Sequence, residues 1–547
     1  MKIYVDGVER EYPEGTIYEV IAKEFQTDEI PQIAAVKSNN KLTQLMSPIE
    51  DGVSVEFVDL RSTDGMRIYQ RSLSFVFIRA VMELYENTNV IVKHSLSQGL
   101  YCEFKGEHRL INRDITSIQH RMQAIIDKDE PFIESLMSIS EATEIFKRYN
   151  MKSKLDLLKY RAKDYVKMYS LGWLNDYFYG YMLPSTGYLE KFDLIYYKPG
   201  LILRHPVELS PFDVPKFSEH KKLYEIHSEA EKWGEILDVS YVANLNNKIE
   251  EGLAGEFIKI AEALHEKKIA KIADAITEQK KRVVLIAGPS SSGKTTFANR
   301  LKIQLRVNGL KPVTLSTDDY FVNREMTPRD ESGEYDFDSI EALDIEIFNK
   351  DLKDILDGEE VNLPIFDFQT GHREYGDKKI KIDDDQIVII EGIHGLNEQL
   401  TEDVLKKDKY KIYVSALTQL NIDSHNRIPT TDVRVIRRIV RDSKFRGHSA
   451  LKTLHLWKSV RRGEEKNIFP YQEDADAVFN SALVYEMAIL KKHAIPLLEE
   501  ITREFKEYSE ARRLLKFLSY FTSVDDDDLV PTTSILKEFI GGSSFNV

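Results

Sequence analysis

Lys294 and Thr295 close the run Gly288-Pro289-Ser290-Ser291-Ser292-Gly293-Lys294-Thr295, and Thr296 follows directly. This spacing of two glycines before Lys-Thr lets successive backbone N–H groups wrap around phosphate oxygens. Lys294 would then reach the β- and γ-phosphates of a nucleotide, and the Thr295 hydroxyl would ligate Mg²⁺. Such a loop must be fed by a strand and left by a helix. The apolar Val283–Ala287 precedes it, and the helix-like Thr296-Phe-Ala-Asn-Arg-Leu-Lys follows. The positive end of that helix adds to the field on a bound anion. Gly288–Thr296 are therefore expected to bind ATP or GTP.

Three more apolar stretches, Pro312-Val-Thr-Leu-Ser-Thr, Gln386-Ile-Val-Ile-Ile and Lys411-Ile-Tyr-Val-Ser, read as buried strands of a parallel sheet. Ligands of such sheets sit beyond the carboxyl ends of the strands. Asp318 and Glu391 stand at two of those ends, so both should converge with Lys294 on one rim. Asp318 could accept the proton of an attacking alcohol and touch the metal through water, while Glu391 would support Mg²⁺ opposite Thr295. Farther on, Arg434, Arg437, Arg438 and Arg441 fall at i, i+3, i+4 and i+7, with Arg446 just after. Arginine forks bind phosphate bidentately, so this face is expected to form a lid over the nucleotide; the plainer reading is an ion-paired surface helix.

The chain has 547 residues, 42% hydrophobic and 30% charged, enough for about three domains. It shows no apolar run of membrane-spanning length and no signal-peptide pattern at its start. The single cysteine, Cys102, excludes an internal disulfide and suits the cytoplasm. Cys102 is expected to be a buried small hydrophobe, and His205, His220 and His227 lack the spacing of a helical metal pair. The net charge of −15 argues against general nucleic-acid coating but leaves a local basic patch open.

The residues carry three resemblances. Lys-Ile-Tyr-Val-Asp-Gly, Tyr-Pro-Glu-Gly-Thr and the closing strand Val53–Asp59 resemble a TGS domain, a ubiquitin-like fold, over 1–60. Gly99-Leu-Tyr-Cys-Glu-Phe, the stretch from Ile118 to Phe132 and Leu183-Pro-Ser-Thr-Gly resemble the α+β editing domain of threonyl-tRNA synthetases over 61–227. The positions of that domain's two histidines and later cysteine–histidine pair hold Arg71, Phe75, Phe178 and Met182, so the resemblance implies a scaffold or binding module without hydrolytic chemistry. A helical connector is expected over 228–281.

The P-loop, Ser316-Thr-Asp-Asp-Tyr-Phe, Tyr335-Asp-Phe-Asp, Pro364-Ile-Phe-Asp-Phe, Ile390-Glu-Gly-Ile and the Arg434–Gly447 segment resemble the uridine kinase and phosphoribulokinase superfamily over 282–500, with a helical tail over 501–547. The fold implied is α/β: a P-loop kinase with a parallel sheet, preceded by the two smaller domains. The resemblance makes Asp318 the catalytic base and Asp338 the holder of a ribose. Tyr320 and Phe321 stand where the family has Phe-Tyr. His372 lies one residue from the register of the family's base-contacting histidine. The implied reaction is Mg²⁺- and ATP-dependent phosphorylation of a nucleoside, uridine or cytidine, and the family implies self-association. Two other readings stay open. One is a kinase for a sugar or sugar phosphate, for which Arg373 would supply an extra cation. The other is a nucleotide-gated regulatory protein whose synthetase-like half binds tRNA.

Overall fold

The computed structural model describes residues 1–546 apart from 162, 330–332, 334, 368, 369, 384 and 419. Phe368 of the Pro364–Phe368 motif therefore lies outside the described residues.

Alternating apolar residues near the start build a five-stranded sheet from β1 (Lys2–Val5), β2 (Val8–Glu11), β3 (Ile33–Ser38), β4 (Lys41–Gln44) and β5 (Val53–Asp59), ordered β2-β1-β5-β3-β4. Helix α1 (Tyr18–Phe25) lays Tyr18, Ile21 and Ala22 on Ile3, Val5 and Val36. The stretch Lys2–Val8, whose alternation reads as a single strand, is instead split. Asp6 and Gly7 have φ of 49° and 80° and form a two-residue loop between paired Val5 and Val8. Positive φ at both loop residues matches the twist of a hairpin, and Asp-Gly adopts it readily.

Helix α2 (Thr63–Leu84), capped by the Ser62 side chain, is the buried spine of the next part. Around it lie β6 (Thr88–Leu96), β7 (Gly99–Gly106), β8 (Ile133–Ser138), β9 (Tyr165–Leu171), β10 (Leu174–Asp176), β11 (Asp193–Tyr197) and β12 (Gly200–Arg204). They form two antiparallel sheets, β11-β12-β7-β6 and β10-β9-β8. Of the four substituted positions, Phe75, Phe178 and Met182 are buried in the main core. The Phe75 and Phe178 rings stand 4.9 Å apart, Met182 Sδ lies 3.5 Å from Ser72 Oγ, and Arg71 donates to the Tyr181 carbonyl. Packed aromatics and a thioether at three of these positions offer no general base. Cys102 is buried, and burial pushes its thiol pKa up. Among the described residues no group of three or more His, Cys, Asp or Glu side chains could hold a metal ion, and no helix is long and apolar enough to cross a membrane.

The last large part is built on a parallel sheet of β13 (Val283–Ala287), β14 (Lys311–Ser316), β17 (Gln386–Glu391), β18 (Lys409–Ser415) and β19 (Ala477–Asn480), ordered β14-β17-β13-β18-β19. An antiparallel hairpin, β15 (Val361–Asp367) and β16 (His372–Ile380), lies outside it. Helix α3 (Ala254–Glu278) packs on α4 (Lys294–Val307), with Glu266 pairing to Arg300 at 2.7 Å. Helices α5 (Thr430–Phe445) and α6 (Ala450–Asn467) follow β18, and α7 (Tyr508–Leu518) comes later. The residues after 500 do not trail away. Ile535, Leu536 and Phe539 are buried in the main core, so the last segment is part of the wall around the P-loop.

Candidate active site

The P-loop runs from the end of β13 into α4. Gly288 passes so close to β18 that a Cβ there would stand 2.0 Å from the Val414 carbonyl oxygen. Gly293 has φ of 82° and is covered by Ile535. Lys294 Nζ curls back over its own loop and donates to the carbonyls of Gly288 at 3.0 Å and Pro289 at 3.4 Å. Burial pushes the Lys294 pKa down, against the pull of Glu391, Glu538 and Asp318. The Ser291 and Ser292 hydroxyls are buried without a hydrogen-bond partner among the described residues.

Parallel pairing sets Ser316 of β14 opposite Glu391 of β17, and Glu391 opposite Ile286 of β13. Three adjacent strand ends thus deliver Asp318, Glu391 and the P-loop to one rim. The close approach needs Gly392, where a Cβ would stand 2.0 Å from Thr317 Oγ1. Thr295 Oγ1 donates to Glu391 Oε1 at 2.8 Å. Asp318 is exposed, in a turn held by its backbone N–H donating to Ser316 Oγ at 3.2 Å. Desolvation by the surrounding walls raises the carboxyl pKa of both Asp318 and Glu391, with Lys294 opposing it.

The arginine helix α5 differs from the expected lid. Arg434 and Arg437 are wholly buried: Arg434 pairs with Glu464, and Arg437 with Glu486 at 2.5 Å. Their guanidiniums hold the loop from beneath, Arg434 Nε donating to the Ser290 carbonyl at 2.9 Å. They are fixed because a buried charge without its partner costs several kcal/mol. Arg438, Arg441 and Arg446 instead share the one buried carboxylate of Asp442 at 3.2, 2.8 and 3.7 Å. Arg438 Nη1 also donates to Ser290 Oγ at 2.8 Å. Arg441 is close enough to oppose the charge on Lys294, and Arg446 to favour ionised Asp318.

Asp338 lies against α6. Gly463 leaves the room for it, since a Cβ there would stand 2.3 Å from Asp338 Oδ2. Burial, with Asp336 and Glu464 adding to it, raises the Asp338 pKa to about 6. Tyr320 is not available to an acceptor: it is 1% exposed, donates its hydroxyl to Asp351 at 3.1 Å and stands edge-on to Phe348. Its neighbour Phe321 belongs to an aromatic wall with Phe337 and Phe366. His372 is exposed at the start of β16. Arg373 is neutralised by Asp344 at 2.9 Å.

Several residues at the loop escaped the sequence reading. Glu464 accepts from the Ser290 N–H at 2.9 Å. Glu538, from the last segment, accepts from Thr296 Oγ1 at 2.7 Å and from the Thr296 N–H at 3.3 Å. Neither stands in a motif, and both reach the loop across more than 150 residues. Asp442 was in view beside Arg441 without its role being readable.

A strand, phosphate loop and helix, with acidic residues at neighbouring strand ends, define a P-loop kinase-type α/β domain. Residues 283–488 match the model of the Phosphoribulokinase / Uridine kinase family, and this part of the chain is a domain of that family. The N-terminal region matches threonine–tRNA ligases. It is 28% identical over 186 residues to the ligase of Syntrophomonas wolfei, covering 34% of this chain and 29% of the ligase. It is 32% identical over 201 residues to that of Thermotoga neapolitana, covering 36% and 31%. The chain thus spans less than a third of the length of the curated relatives it matches. The solved structure of a possible uridine kinase from Bacillus stearothermophilus aligns with 39% of this chain and 99% of its own, at 19% identity and a TM-score of 0.26.

Proposed function

We propose that this chain is an ATP-dependent phosphotransferase that phosphorylates the 5′-hydroxyl of a nucleoside, uridine or cytidine. The observation that carries the reading is the convergence of Lys294, Asp318 and Glu391 at the ends of three adjacent parallel strands. The fit to the triphosphate and metal is chemical. The loop offers backbone N–H groups and Lys294, and the Thr295–Glu391 pair offers hard oxygen ligands. Mg²⁺ usually takes only one or two carboxylates from the protein, the rest coming from phosphates and water, so a larger acidic cluster is not required.

When bound, Mg-ATP supplies the electrophilic phosphorus and the metal charge. Asp318 takes the proton of the acceptor hydroxyl at its carboxylate oxygen. Its raised pKa makes it a stronger proton acceptor than an ordinary carboxylate. Lys294 holds the β- and γ-phosphates, and Arg438, Arg441 and Arg446 balance the charge that spreads over the moving group. Asp338 positions the acceptor's ribose hydroxyls. Asp336 is close enough to Asp338 to raise its pKa, and Arg373 is already paired to Asp344. These charges favour an uncharged polyol over a sugar phosphate. The partition into 1–60, 61–227, 228–281, 282–500 and 501–547 is part of this proposal, with the first two as non-catalytic modules.

The test is ADP release with Mg-ATP against the common ribonucleosides, deoxyuridine and ribulose 5-phosphate. Turnover with one nucleoside supports the reading; turnover only with the sugar phosphate replaces it.

Two further outcomes follow from the charges. Asp338 must be ionised to accept ribose hydroxyls. Its pKa is raised, so acceptor kcat/KM should fall as pH drops through about 6. Asp338→Asn should flatten that acid limb while raising the acceptor KM. An unchanged limb in the variant would remove Asp338 from acceptor binding. Glu538 puts a negative charge on the Thr296 N–H and hydroxyl, groups that a phosphate would use. Glu538→Gln should therefore tighten nucleotide binding about fivefold, roughly 1 kcal/mol of relieved repulsion at a helix N-terminus. Fluorescent-nucleotide titration measures it, and weaker binding would make Glu538 a support of the loop instead.

A further inference from the structure

The segment Tyr177-Phe-Tyr179-Gly-Tyr181, far from the P-loop in sequence, has a cation over each of its three tyrosines. The Arg161 guanidinium carbon is 5.5 Å from the centroid of Tyr177, Lys516 Nζ is 5.1 Å from that of Tyr179, and Lys167 Nζ is 5.2 Å from that of Tyr181. A fourth cation, Arg71, lies flat over Gly180. A Cβ there would be 2.6 to 2.8 Å from its guanidinium atoms, so only glycine admits it. The four come from separate places: α2, the approach to β9, β9 itself and α7.

Their charges are poorly matched. Lys167 pairs with Glu134 at 2.7 Å. Arg71, Arg161 and Lys516 have no ion-pair partner among the described residues. This imbalance occurs in a chain of net charge −15, where carboxylates to neutralise them are plentiful. The row can be reached from solvent: Lys516 is exposed, and Arg71, Arg161, Lys167, Tyr179 and Tyr181 are half-buried. Desolvation of its ammonium by the surrounding protein, reinforced by the like charges of Arg71, Arg161 and Lys167, lowers the Lys516 pKa to about 8.

We propose that this row is a second anion site, which takes the phosphate monoester of a small molecule. Two guanidiniums supply planar forks for phosphate oxygens, and Lys516 supplies a point charge. The half-buried rings of Tyr179 and Tyr181 offer aromatic faces on which a nucleobase can stack. The shared chemistry is the phosphate monoester, and its source is either inorganic phosphate or a nucleoside 5′-monophosphate. The site does not depend on the kinase reading, because no residue of it touches the P-loop.

The test is calorimetric titration of the full chain carrying Lys294→Ala, which weakens phosphate binding at the P-loop. Uridine 5′-monophosphate, inorganic phosphate and a single-stranded RNA without a terminal phosphate are the three titrants. Binding of the monophosphate near one equivalent is expected, at least tenfold weaker when Lys516→Ala and Arg161→Ala are added, and weaker at higher salt. Equal binding of inorganic phosphate would identify the phosphate as sufficient; a clear preference for the nucleotide would assign the base to the tyrosines. No binding at millimolar concentration, binding unaffected by the two substitutions, or binding of the RNA alone would overturn the proposal. Unchanged thermal melting of the substituted chains excludes misfolding as the cause of a loss.

Discussion

Asp318→Asn should lower kcat by about 10³-fold, within the 10²–10⁴ that a positioned general base contributes. Asparagine keeps the shape and the hydrogen bond from Asp318 N–H to Ser316 Oγ, so the turn after β14 should hold. What it removes is the proton acceptor, and with it the negative charge near Lys294. Nucleotide affinity should therefore stay equal or improve slightly while turnover collapses. That split between kcat and binding is the informative result. Single-turnover ADP formation and nucleotide titration on the same preparation would measure both. Turnover within threefold of the parent chain would move the base elsewhere. Loss of nucleotide binding with turnover would instead make Asp318 a metal-supporting residue.

The reach of the sequence can be judged residue by residue. Gly288–Thr296 was legible because the loop's chemistry is local: the backbone conformation, the helix dipole and Lys294 all lie within nine residues. Four of the five parallel strands were visible as apolar runs. The fifth, Ala477–Asn480, has only four residues and ends in a polar one, so no run marks it. The hairpin of β15 and β16 was hidden by the charged Arg373, Glu374, Lys379 and Asp367. Its strands lie outside the main sheet and need no continuous apolar face. Tyr320 and Phe321 were read by order along the chain, and the order could not say which ring turns inward. The wall made by Ile535, Glu538 and Phe539 was illegible in principle, because nothing local tells a buried terminal segment from a free one.

The arginine helix shows the same limit with an energetic consequence. Spacing placed Arg434, Arg437, Arg438 and Arg441 on one face, and that face does meet the P-loop. What spacing could not supply was the position of the counter-charges. Glu464 and Glu486 lie on later elements and bury Arg434 and Arg437 completely, while Asp442 leaves Arg438, Arg441 and Arg446 with one carboxylate among three. One helix therefore has a structural half and an electrostatic half.

Arg437→Met separates these roles. Arg437 is fully buried, bonded to Glu486 and to the Ser481 carbonyl at 2.8 Å, with Phe539 at 5.0 Å from its guanidinium. Methionine leaves Glu486 buried without its cation, held among the described residues only by the Leu483 N–H at 3.1 Å, which costs about 3–5 kcal/mol. The Glu486 pKa is already raised by burial, and removing the cation raises it further. A carboxyl with a folded-state pKa above its unfolded value favours the folded chain when protonated. The penalty should thus shrink as pH falls toward 5 and be largest near pH 8. Arg437→Met combined with Glu486→Leu should restore most of the loss, because an apolar pair can replace a buried ion pair at little cost. Urea midpoints of the single and double variants at the two pH values test this directly. If Arg437→Met instead kept full stability and lost only turnover, Arg437 would be a nucleotide contact, and the mobile-lid reading of α5 would return.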